Sequence, residues 1–220
     1  MISFKKRIDN NGIKFGSYVF YPVPKNACTS LKREIYFIER NKDFKTIHFF
    51  SKKYTIHDYY PTNKFIASKS FDVSLIRICH VRDPLNRFVS GFINRIVNYN
   101  DLLVDKENLI KNNLKYENID INYFVTNLEK YLKFSKLTEH HFLPQTHYLG
   151  NDPTIFDINK SKNVFKFMSE VSGRDINSYK ESSLNMKENY INSLTQDSIG
   201  AIENFYKDDF TFWKYIMSSN

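Results

Sequence analysis

The first sustained apolar run is Ser17-Tyr18-Val19-Phe20-Tyr21-Pro22-Val23, which reads as a buried strand. A polar break from Pro24 to Thr29 follows it. Leu31, Ile35 and Ile38 then recur at helical spacing, so the segment predicts strand, loop, helix. The same order returns further on. Val73 to Val81 is an apolar strand, and Asp83 and Pro84 supply an N-cap and an N1 proline for a helix with Leu85, Phe88, Val89, Phe92 and Ile96 on one face. Thr46 to Phe50 and Lys53 to His57 are long enough for short strands between the two.

Residues 100–120 are rich in Asn, Lys and Asp with weak periodicity and predict an exposed excursion or mobile helices; no chemistry is assigned there. Residues 121–134 predict a helix and 135–162 irregular chain. Val164 to Met168 predicts a further strand. Ser193-Leu194-Thr195-Gln196 has the form of a capping box, opening a helix through Tyr206 with Ile199, Ile202 and Phe205 inward. Two strand–loop–helix units in succession predict an α/β fold with a central parallel sheet flanked by helices, and 220 residues fit a single domain over 1–220.

Composition narrows this little: apolar residues make up 41% and charged residues 25%, with 20 Phe and 15 Tyr, as in a globular protein. Charge adds more. Thirty-two basic against 24 acidic residues give a net charge of +8, which suits a polyanionic partner. The basic residues are scattered, without the runs or zinc-finger spacing of nucleic-acid binders, so nucleic acid is not expected. Cys28 and Cys79 are too few for a disulfide scaffold and form no CxxC pair. The basic start Met1-Ile2-Ser3-Phe4-Lys5-Lys6-Arg7 lacks the apolar stretch of a signal peptide, and no run is long enough to span a bilayer. A cytoplasmic protein without a transmembrane segment is expected.

The chemistry concentrates in the loops at the carboxyl ends of the two predicted strands, where ligands bind in parallel α/β sheets. Pro24-Lys25-Asn26-Ala27-Cys28-Thr29-Ser30 combines a lysine, small residues, two hydroxyls and a helix N-terminus, the parts of a phosphate cradle. It lacks the GxxxxGK[ST] pattern, hence the usual metal-ligating hydroxyl after a lysine. In the second unit Arg82 ends the strand, and Ser90 lies eight residues on, with Arg87 one turn before it. An arginine and a hydroxyl arranged so can hold a second phosphate. Read singly, Arg82-Asp83-Pro84 is also an ordinary charged helix start and Lys25 an ordinary solvated loop residue.

Together the two segments resemble those of the PAPS-dependent sulfotransferases (PAPS, 3′-phosphoadenosine-5′-phosphosulfate). Residues 24–30 resemble the 5′-phosphosulfate loop, and Val81-Arg82-Asp83-Pro84-Leu85-Asn86-Arg87-Phe88-Val89-Ser90-Gly91-Phe92 resembles the 3′-phosphate motif. The likeness is nearest to the carbohydrate sulfotransferases of the heparan 2-O- and chondroitin 4-O- groups. His141-Phe142-Leu143-Pro144-Gln145 is similar to a His-Trp-x-Pro-Gln stretch of the chondroitin group, with Phe142 in place of tryptophan, and Phe205-Tyr206-Lys207-Asp208-Asp209-Phe210 to its C-terminal Tyr-x-x-Asp-Phe. No membrane anchor or stem like that of the Golgi enzymes is present, which implies a soluble, microbial relative whose acceptor need not be a glycosaminoglycan.

The resemblance implies a P-loop-like sulfotransferase fold, PAPS as donor and PAP as product, and no metal. It implies that Lys25 contacts the 5′-phosphate and bridging oxygen, that backbone N–H groups of Asn26, Ala27, Cys28, Thr29 and Ser30 with the Thr29 and Ser30 hydroxyls bind the phosphosulfate, and that Arg82 and Ser90 bind the 3′-phosphate. The acceptor is a carbohydrate or small-molecule hydroxyl. Its proton needs a base that titrates near neutral pH, a histidine or a carboxylate made more basic by burial, and the candidates are His48, His57, His80 and His141. His57 is chosen because it lies 25 residues before Arg82, near the position of the catalytic histidine in the heparan 2-O- group. His141 fits structure or nucleotide contact equally, and Asp58 beside His57 reads as solvated. Tyr59, Tyr60 and Phe142 are candidates for stacking on adenine or sugar, although most aromatics belong to the core. Lys180, Ser182 and Ser183 fall where relatives carry a polar loop over the nucleotide, and read as a solvated turn. Two other functions share these residues: a P-loop-like ATP-dependent kinase, and an inactive nucleotide- or glycan-binding module.

Overall fold

The computed structural model describes residues 12–61, 74–176 and 184–218. The chain divides into two compact units, one of Met1–Val81, Gln145–Lys180 and Lys214–Asn220, the other of Arg82–Pro144 and Glu181–Trp213. Each has its own buried apolar cluster.

In the first unit, β1 (Ile13–Phe15) and β2 (Tyr18–Tyr21) form an antiparallel pair, and β2 leads through the Pro24–Ala27 turn into helix α1 (Cys28–Arg40). A hairpin of β3 (Ile47–Phe49) and β4 (Lys52–Tyr54) precedes the single-turn helix α2 (Ile56–Tyr59). Strand β5 (Ile76–Cys79) then pairs with β2 in parallel, Phe20 opposite Ile78 and Tyr21 opposite Cys79. The sheet order is β1-β2-β5. The expected central parallel sheet is thus represented by one parallel pair in a small mixed sheet. Its two parallel strands are apolar at their inner ends because helices cover them, as parallel pairing requires. Phe20 and Ile78 pack with Leu31 and Ile35 of α1, Ile56 of α2, and Val164, Phe167 and Met168.

Those last three correct an expectation. Val164 to Met168 is not a strand but the start of helix Val164–Ser172, whose buried residues recur three and four apart. Residues 135–162 are likewise not irregular, since helices span Lys136–Phe142, Gln145–Leu149 and Ile158–Lys162.

The regular elements described in the second unit are all helical. Asp83 caps α3 (Pro84–Gly91), its carboxylate accepting from the Asn86 N–H at 2.8 Å, with Pro84 in the first turn as predicted. The helix passes into a π-helical turn, Phe92–Asn98. Residues Asp101–Asp105 form a 3₁₀ turn and Lys106–Lys111 a helix, tied back by a two-pronged ion pair from Arg95 to Asp101 at 2.5 and 2.9 Å. The predicted 121–134 helix is two, Ile121–Thr126 and Leu128–Phe134. In helix Gln196–Phe205 the capping residue is Thr195, accepting from Ser198, rather than Ser193. Phe88, Phe92, Phe124, Tyr131, Phe142, Ile202 and Tyr206 fill the core. Among the described residues no helix is long and apolar enough to cross a membrane.

Candidate active site

The turn after β2 is held in an unusual backbone conformation. Lys25 and Ala27 both take left-handed φ values, 66° and 52°. Such values cost a non-glycine residue on the order of 1 kcal/mol each and persist only when the surroundings impose them. Here Asn26 imposes them from the middle. Its side chain, 1% exposed, donates from Nδ2 to the His80 carbonyl at 2.7 Å and to Gln145 Oε1 at 2.5 Å. The residue after β5 and the first residue of helix Gln145–Leu149 thereby clamp the turn. The Asn26 N–H closes it onto the Val23 carbonyl at 3.2 Å.

The turn delivers the chain into α1 with Ala27 at the N-cap and no side chain capping the helix. The Ser30 and Leu31 N–H groups both bond the Ala27 carbonyl, at 3.1 and 3.2 Å. The first N–H groups of a helix have no intrahelical partners, and its N-terminus carries a partial positive charge. No acidic residue lies in the first turn to offset that charge. Half-buried Lys25 stands just before it. The arrangement has the parts of an anion cradle, a lysine ahead of a helix N-terminus with no acidic residue to offset its charge.

Thr29 connects the cradle to His57. Its Oγ1 lies 2.8 Å from His57 Nε2, and on the other side of the ring Nδ1 lies 3.2 Å from Lys32 Nζ. His57 is exposed and sits on α2, after the short strand rather than in it. A capping box fixes α2: the Thr55 N–H and hydroxyl donate to Asp58 Oδ2 at 2.7 and 2.8 Å, and the His57 N–H donates to Thr55 Oγ1 at 3.2 Å. Asp58 therefore stabilises the turn that carries His57.

Lys32 joins these residues without a sequence motif to mark it. It has no exposed surface, and burial, with Cys28 one turn earlier acting weakly in the opposite sense, brings its ammonium down from 10.5 to about 8. The available signal was its position on α1, one turn after Thr29 and between Leu31 and Ile35 of the apolar stripe.

The other candidates fall in different settings. His48 lies exposed on the hairpin, and the His80 ring packs edge-on against Phe165 at 5.2 Å. Tyr60 and Phe142 are core residues, and Tyr59 packs edge-on against Tyr36 and Tyr60. In the second unit, Arg82 precedes the N-cap of α3 and Ser90 lies in its last turn, both half-buried. Arg87 is 2% exposed and donates to the Leu143 carbonyl at 2.9 Å, a structural brace. Tyr206 donates to the Phe142 carbonyl at 2.5 Å, tying together the two C-terminal signature segments. Lys180, Ser182 and Ser183 lie outside the described residues. Among the described residues no group of three or more His, Cys, Asp or Glu side chains is set to hold a metal ion.

The family model of the sulfotransferase family matches residues 16–216, a span that runs from before β2 beyond helix Gln196–Phe205 and takes in both loop motifs. No curated protein and no solved structure matches the chain. A match over nearly the whole length is decisive: the chain belongs to the sulfotransferase family, whose members are PAPS-dependent transferases.

Proposed function

We propose that the protein transfers the sulfuryl group of PAPS to a hydroxyl of a carbohydrate or other small acceptor, with His57 as base and Lys25 at the leaving group. The observation that carries this reading is the 2.8 Å approach of His57 Nε2 to Thr29 Oγ1, which puts an exposed imidazole on the first turn of the helix that ends the anion cradle.

The acceptor oxygen attacks sulfur as the bond from sulfur to the bridging oxygen breaks. That oxygen's electron pair leaves with PAP, and the acceptor proton passes to His57 Nε2. Charge grows on the departing phosphate, where the Lys25 ammonium and the N-terminus of α1 lower its energy. The phosphosulfate contacts are Lys25, the Ala27, Cys28 and Thr29 N–H groups and the Thr29 and Ser30 hydroxyls. Asn26 serves by clamping the turn rather than by binding, since its side-chain donors and its N–H are already engaged. Arg82 and Ser90 take the 3′-phosphate.

Incubation with radiolabelled PAPS and a panel of carbohydrate and small hydroxyl acceptors tests the reading. Label enters an acceptor with wild type. Lys25→Ala lowers turnover about 100- to 1,000-fold, and His57→Ala about 100- to 10,000-fold. Full turnover by His57→Ala removes His57 as base. Binding of PAP with no acceptor labelled favours an inactive binding module.

A further inference from the structure

Lys32 has no part in the transfer scheme, yet it holds the side of His57 opposite Thr29. The two ring nitrogens face partners of different chemistry, Nε2 a hydroxyl at 2.8 Å and Nδ1 an amine at 3.2 Å. A hydroxyl donates or accepts as required. A lysine's options depend on its charge: the ammonium can only donate, whereas the neutral amine also has a lone pair with which to accept. A neutral imidazole carries one proton, and the hydrogen bond at one nitrogen decides which nitrogen keeps it.

Two arrangements follow. With Lys32 as an ammonium, Nζ donates into Nδ1, the ring proton sits on Nε2, and Nε2 has no lone pair for a second proton. With Lys32 as an amine, Nδ1–H can donate to Nζ, and the Nε2 lone pair is then presented beside Thr29. Only the second arrangement makes His57 a base at Nε2. Full burial of Lys32 works toward it, because desolvation penalises the ammonium and makes the amine the main form above about pH 8 rather than 10.5.

We infer that Lys32 is a positioning residue that, as a neutral amine, accepts the Nδ1–H of His57 and keeps the Nε2 lone pair facing the acceptor hydroxyl. The inference rests on the reading of His57 as base. On transfer, Nε2 gains the hydroxyl proton as the acceptor oxygen gains sulfur. The resulting imidazolium keeps its Nδ1–H bond to Lys32, and loss of the Nε2 proton to solvent after product release resets the ring.

Nitrogen NMR of the full chain labelled at histidine reads the tautomer directly, without reference to turnover. At about pH 9 the imidazole is neutral, and the wild-type His57 signal, assigned by its loss in His57→Ala, is expected to be that of the Nδ1–H form. Lys32→Arg places a permanent donor at Nδ1, converts the signal to Nε2–H, and lowers kcat about 100-fold or more with KM little changed. Lys32→Met, close in shape, removes the acceptor and also lowers kcat.

A wild-type ring protonated at Nε2 under these conditions overturns the inference even if both variants fail to fold. Wild-type kcat in a folded Lys32→Arg protein overturns it too. Failure of the underlying reading looks different: His57→Ala then keeps its turnover while the Nδ1–H signal of wild type stands.

Discussion

Lys32 places a group that prefers water where none reaches it, on a helix that would otherwise bury an apolar stripe. The depressed ammonium carries a cost that can be measured. Its folded-state value of about 8 lies below the ordinary 10.5, so the unfolded chain binds more protons between those limits, and wild-type stability rises with pH across that window. Lys32→Met lacks this dependence. It is therefore expected to be more stable than wild type at neutral pH, by up to about 3 kcal/mol, and to lose that advantage as pH climbs from about 8 to 10.5. Thermal melts of both proteins across this range check the slope, and parallel curves contradict it. Stability gained with turnover lost is the signature of a residue kept for chemistry rather than for packing. From the sequence Lys32 was invisible in this role. Its neighbours on the helix are legible from spacing, but its pairing with a histidine 25 residues away depends on how α2 folds against α1. His57 itself stood out in the sequence as one of a few histidines.

At the level of elements, the strand–loop–helix order around residues 24–30 and the Asp83-Pro84 helix start were both readable, because caps and turn residues act locally. Helix Val164–Ser172 is not legible as a helix from its first residues, for a physical reason. Within five residues, Val-Phe-Lys-Phe-Met satisfies a period of two about as well as one of 3.6, and only the longer run, with Val164, Phe167 and Met168 inward, separates them. The Phe142 segment was readable as a signature but not as the packing device it is. Phe142 lies against Gly91, where an added Cβ would meet the ring at 3.2 Å, and the ring is enclosed by Phe88 and Phe124. Gly91→Ala therefore forces a shift in a filled core and is expected to cost about 1 kcal/mol net, despite alanine's better helix propensity. Gly200, also helical, has open space around its Cβ position, so Gly200→Ala is expected to stabilise by about 1 kcal/mol. Denaturant titrations of the two variants should move in opposite directions; a stabilised Gly91→Ala protein contradicts the account of the Phe142 contact.

For the whole molecule, the net charge of +8 and the match to the sulfotransferase family over residues 16–216 point to the same kind of ligand, a nucleotide with several phosphates. The general class was legible because two segments that resemble those of the family stand in the right order at the right spacing. The acceptor was not, because recognition of a particular hydroxyl depends on side chains that converge from distant parts of the chain and follow no fixed spacing. The donor is the claim most open to direct test, and isothermal titration of the wild-type protein with PAP and with ADP, each with and without EDTA, is the measurement. The account predicts that PAP binds at least about 30-fold more tightly than ADP, since only PAP offers a 3′-phosphate for charged hydrogen bonds. It also predicts that EDTA changes neither affinity, and that Arg82→Ala weakens PAP about 10- to 100-fold while leaving ADP alone. ADP binding as tightly as PAP, or lost on adding EDTA, would contradict the donor assignment and favour an ATP-dependent kinase.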